Sequence, residues 1–301
     1  MKKIIPYFYL LVLNLSSILS AHAQLSFPNQ MTLFFTPTPY GLKWETPRDL
    51  AQSAILNKLF SSTNRPIGHV SIRLECTSPQ QEEKLFFHTG MVAKKLNAPE
   101  LLLTKHMGFG ILFHTFEGRL ETAEELEEEV ARRLKEQSLN FLSFPIEYTR
   151  CQRIYKYYQE FKEKNLDFGY GLANRPRYKE GSGCSAFAAS FLEVSGLMTD
   201  EYRKAWTRTL NIPKTLIGDQ NHPVFLYKLL LPWAKLEWSA TPQPNTKNLT
   251  FWDPELMYQW VEQRKNSSEP ILEKVRIHGT IGLRLKQVDG FVPNELFWLK
   301  E

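Results

Sequence analysis

The sequence predicts an α+β protein in which an antiparallel sheet packs on a buried, cysteine-bearing helix, with extra helices and a C-terminal extension. Two observations carry that expectation. Segments 68–76 (GHVSIRLEC), 83–90 (EKLFFHTG) and 109–116 (FGILFHTF) follow one another as strand-like runs, the first two joined by a polar loop. Successive runs of this kind read as hairpin-paired strands. Segment 184–196 (CSAFAASFLEVSG) is apolar on almost every side up to Glu193. A helix of that composition belongs in the interior of a domain.

The elements follow in chain order. Residues 1–23 read as a secretory signal peptide: Lys2 and Lys3, an apolar stretch, then Ala21-His22-Ala23 as the cleavage motif before Gln24. The stretch is interrupted by Asn14, Ser16 and Ser17 and is too short to span a bilayer. The expectation is therefore an exported protein, periplasmic or secreted, with no transmembrane segment after cleavage. Residues 31–37 form a strand, and Thr46-Pro47 opens a helix to about Phe60, with Thr as N-cap and Pro at the first helical position. After the three strand-like runs, 122–137 is a helix with a Thr122/Glu125 capping box, acids in its first turns and bases in its last. A second helix over 146–165 carries Ile154, Tyr157, Tyr158 and Phe161 on one stripe, which reads as core. Residues 166–183 are loop, and the helix that follows ends at Gly196. Segments 223–232, 272–279 and 281–288 read as strands, and 253–265 as a helix capped by Asp253. The stretch 239–248 is the best linker, so 24–240 is expected as the core and 241–301 as an extension or subdomain.

Composition narrows the classes. A formal charge of +5, with Lys2 and Lys3 inside the signal, does not argue for a nucleic-acid partner. No P-loop, GxGxxG, C-x-x-C or H-E-x-x-H pattern is present, and no cofactor or metal is expected. Three cysteines, Cys76, Cys151 and Cys184, leave at least one thiol free in an oxidising compartment. Cys76 and Cys151 are candidates for a bridge if their Cα atoms come within about 7 Å.

Cys184 stands behind Gly181 and Gly183 at the first turn of the apolar helix. Unpaired N–H groups and the positive dipole end stabilise a thiolate there, and the same N–H groups can hold an oxyanion. A thiol nucleophile needs a base, and the base needs an orienter. His69 opens one strand and His88 ends the next, so antiparallel pairing brings both towards one end of the sheet. That reading makes Cys184 the nucleophile, His69 the base and His88 the orienter. The alternatives are a buried cysteine acting as a small hydrophobe and a non-catalytic binding protein, for which the C-terminal tryptophans (Trp233, Trp238, Trp252, Trp260, Trp298) offer a partner surface.

The set GHVSIRLEC, KLFFHTG and GSGCSAF resembles the NlpC/P60 superfamily of papain-like cysteine hydrolases over residues 66–196. Histidines precede the cysteine here, which is similar to the circularly permuted branch with its YiiX-like and lecithin:retinol acyltransferase-like proteins. The resemblance implies a permuted papain-like core and acyl transfer to the thiol, in amide or thioester hydrolysis or in transacylation. It also implies a tyrosine about a dozen residues before the cysteine, near the oxyanion site; Tyr170 matches best and Tyr178 is the second choice. Gly183 stands where many relatives have Asp or Asn, and Ala186 where they have Gly. The connection between the strands is long, so His114 or Glu75 are alternative orienters. For a signal-bearing chain the first substrate expectation is a cell-wall peptide amide. A lipid or ester acyl group is the alternative, because the permuted branch includes lipid-acting enzymes.

Overall fold

The computed structural model describes residues 29–60, 68–288 and 290–300. The signal-peptide expectation lies outside them. The chain runs β1 (Asn29–Thr36), α1 (Pro47–Phe60), β2 (His69–Thr77), β3 (Lys84–Ala93), β4 (Phe116–Leu120), α2 (Ala123–Lys135), β5 (Asn140–Pro145) and α3 (Tyr148–Glu163). It continues through β6 (Gly169–Tyr170), α4 (Cys184–Ser195), α5 (Asp200–Trp206), β7 (Thr207–Pro213), α6 (Leu226–Leu230), β8 (Thr246–Trp252), α7 (Pro254–Lys265), β9 (Leu272–Ile277) and β10 (Thr280–Leu285).

Eight strands form one sheet in the order β6-β4-β3-β2-β1-β5-β10-β9. Every pairing is antiparallel except β5 with β10. Period-two alternation sorts side chains between its faces. Met31, Leu33 and Phe35 of β1 join Val70, Ile72 and Leu74 of β2 in a core completed by Phe187 and Phe191 of α4, Ile154 and Tyr157 of α3, and Trp260 of α7. Phe34, the alternate residue, faces the other way and packs with Phe141 and with Val130 and Leu134 of α2. The helix carrying Cys184 is thus wedged between the sheet and α3, which explains why its sequence shows no polar stripe until Glu193. It stops where Gly196 takes the left-handed conformation (φ 72°) and a Cβ would collide with Pro293.

Two expected strands take other forms. Segment 109–116 is a short 3₁₀ turn over Phe109–Phe113, and the strand begins only at Phe116. Its apolar residues do not alternate; Phe109 enters a second core, and the backbone at Gly110 lies so close to Gly218 that a side chain would not fit. Segment 223–232 contains the helix α6: Leu226, Leu229 and Leu230 recur at helical spacing and all meet the same second core. That core joins Trp44 and Leu50 beside α1 to the two-stranded ribbon β7–β8. Residues 241–301, expected as an extension, contribute β8 to the ribbon, β9 and β10 to the main sheet, and Met257, Trp260 and Val261 to the main core. Cys76 and Cys151 form a disulfide between β2 and α3, with Cα atoms 6.3 Å apart.

Candidate active site

Three chain segments converge at one end of the sheet. Cys184 is the first residue of α4, capped by the backbone of Gly183 rather than by a side chain. Its sulfur lies 3.9 Å from the carbonyl oxygen of Gly68, which accepts from the thiol, and 3.7 Å from Ser185 Oγ. Tyr170 Oη, at the end of the short strand β6, donates towards the same sulfur at 3.9 Å. His69 opens β2 immediately after Gly68. Cys184 and His69 are 5% and 4% exposed. Burial pushes the thiol up, but the hydrogen bond and charge of His69, helped by Ser185 and the backbone of Val70, outweigh it and bring it down to about 7.

The group that holds His69 comes from a strand further away than expected. Glu121 Oε2 sits 2.7 Å from His69 Nε2, with both side chains almost fully buried. Glu121 follows β4 and precedes Thr122, the N-cap of α2. Its N–H donates to Gly90 O at 2.8 Å, and its carbonyl accepts from Thr89 Oγ1 at 2.9 Å, so the backbone is fixed against β3. Gly90 lies between β2 and Glu121; a Cβ there would be 2.5 Å from Glu121 Oε2 and 3.0 Å from His69 Nε2. The absent side chain is what lets a carboxylate reach across β3.

The remaining candidates lie elsewhere. His88 shares the sheet face of His69 but is paired with Arg73, towards the middle of the strands. Its Nε2 is 3.4 Å from Ser71 Oγ and its ring lies against Phe34. Burial, then the Arg73 charge, lowers its pKa to about 4, and the pull of Glu121 does not compensate. His88 is therefore a neutral, interior imidazole, and the orienter's place beside His69 Nε2 is held by Glu121. Glu75 pairs with Arg73 at 2.8 Å and accepts from Gln30. His114 packs edge-on against Phe116, and Tyr178 lies under the Arg175 guanidinium. Glu121 was hidden because placing the third strand at 109–116 left residue 121 in a loop. A strand ending at Leu120 would have put an acid at the sheet end where His69 begins.

Among the described residues no group of three or more His, Cys, Asp or Glu is placed to hold a metal ion. No family profile, curated protein or solved structure matches the chain.

Proposed function

We propose that the protein is an exported papain-like cysteine hydrolase that works by acyl transfer to Cys184. One observation supports this above the rest: a buried thiol at a helix N-terminus is coupled to an imidazole whose Nε2 faces a buried carboxylate. His69 takes the thiol proton, and the sulfur attacks a substrate carbonyl carbon. The oxyanion is held by the Cys184 N–H, with the Tyr170 hydroxyl at its flank. The bond to the leaving group then breaks as His69 returns the proton to it. In the second half His69 deprotonates a water that cleaves the thioester, releasing the acid and restoring the thiol. Glu121 keeps the imidazole oriented and offsets its positive charge, as the third member of nucleophile–base–acid sets does.

The reading keeps the permuted NlpC/P60-like core as its framework and a cell-wall peptide amide as the first substrate class. A lipid or ester acyl group is the alternative. The Cys76–Cys151 disulfide fits an oxidising compartment.

The test is the pH dependence of iodoacetamide alkylation at Cys184 in the wild type, His69→Ala and Glu121→Gln. The expected wild-type midpoint is near 7. Removing His69 leaves burial unopposed and moves the midpoint to the free-thiol value of roughly 8.5 or above. Glu121→Gln is expected to fall between the two. A midpoint that ignores His69 would sink the catalytic reading and leave a non-catalytic binding protein.

A further inference from the structure

The segment 223–236 (PVFLYKLLLPWAKL) contains two lysines and no acid, and its apolar residues divide between two sides. Leu229 is buried, and Leu226, Leu230 and Leu236 pack on the second core. On the other side Tyr227 is 57% exposed and Trp233, in the turn after α6, is 76% exposed. This turn is held from beneath: the Arg48 guanidinium donates to the carbonyls of both Leu231 and Ala234. Trp233 is therefore displayed on a pinned support. Phe225 extends the ridge, its ring 5.7 Å from Tyr227 and 4.2 Å from His106, and Lys228 lies beside that ring. Lys235 follows Trp233 by two residues and is exposed.

We infer that this ridge docks the protein on an anionic lipid surface. Tryptophan and tyrosine pair an apolar body with a polar edge and favour the headgroup level of a bilayer. Lysines beside them are drawn to negative headgroups while their stems lie along apolar surface. Charge decides the occupant, because an acid-free segment with two flanking lysines complements an anionic surface. Among the described residues no helix is long and apolar enough to cross a membrane, so the contact is peripheral. The inference stands independently of the thiol chemistry.

The experiment is co-sedimentation of the protein with phosphatidylcholine vesicles made with and without phosphatidylglycerol, at low and high salt. Wild type is expected to bind the phosphatidylglycerol vesicles more tightly and to be released by salt. Each lysine near such a surface contributes about 1 kcal/mol, so Lys228→Gln with Lys235→Gln should weaken binding about 30-fold. Trp233→Ala with Tyr227→Ala should weaken binding to both kinds of vesicle by at least about tenfold. Those side chains point to solvent, so folding is preserved, and near-UV circular dichroism checks this. Ile271→Ala, an exposed apolar residue beside β9, should change nothing. The inference is overturned if the wild type stays in the supernatant with both vesicles, or if the aromatic double variant sediments like the wild type. Equal binding to both vesicles, unaffected by salt, overturns the anionic choice.

Discussion

At the scale of single residues, the candidate site depends on an absence at Gly90. A methyl group there would occupy the space through which Glu121 reaches His69. The nearest atom is a carboxylate oxygen on a short, backbone-anchored side chain, so the carboxylate must swing away rather than yield slightly. Gly90→Ala is therefore expected to raise the Cys184 alkylation midpoint, as Glu121→Gln does, and to slow alkylation at pH 7 about tenfold, the cost of about one pKa unit. Gly282→Ala is the control. Its Cβ would strike the Phe141 ring, far along the sheet, so it should lower thermal stability without moving the midpoint. If Gly90→Ala behaves the same way, the glycine serves packing alone. His88 invites a different measurement. Its pKa falls from 6.5 to about 4 on folding, so between those values the unfolded chain binds a proton that the folded chain does not. Stability therefore rises with pH across that window. The full difference is of the order of 3 kcal/mol. Urea unfolding at several pH values should show a shallower slope between pH 4 and 6.5 for His88→Gln than for the wild type. Equal slopes would mean that His88 titrates normally.

At the scale of elements, what could be read from the sequence follows the strength of the local pattern. The capping box at Thr122 and Glu125, the Asp253 cap and the Gly196 stop are short-range devices, and the structure contains each of them. Strand β2 was legible because it alternates, and Cys184 because it combines glycines with an apolar helix. Strand β5 (NFLSFP) was not recognised: it is buried on both faces and too short to display a period. Leucine-rich α6 and the turn at 109–113 read as strands because a short apolar run does not reveal its own geometry. The error at 109–113 propagated. It displaced the third strand, left Glu121 in a loop and made His88 the natural orienter. A long-range partner is set by sheet register, and register is decided by tertiary packing rather than by residues near the site.

At the scale of the whole molecule, the disulfide and the chemistry occupy opposite ends of one strand. His69 begins β2 and Cys76 lies seven residues on, about 23 Å away at strand rise. The bridge clamps the far end of β2 to α3, and α3 in turn packs against the helix that carries Cys184. It closes a chain separation of 75 residues, which in the chain-entropy picture limits the unfolded ensemble by about 4 kcal/mol. Both cysteines are buried in the main core, so serine replacements would also leave hydroxyls in apolar surroundings; alanine is the cleaner choice. Cys76→Ala with Cys151→Ala is thus expected to lower stability by about that amount in denaturant unfolding. The Cys184 alkylation midpoint of the folded fraction should stay where it is, because the local contacts of Gly68, His69, Glu121 and Tyr170 do not run through the bridge. In the wild type, denaturing non-reducing thiol labelling should find one thiol, on Cys184. A midpoint that moves when the bridge is removed would mean that the clamp holds the strand in register at the site, and that the two ends of β2 act as one rigid body.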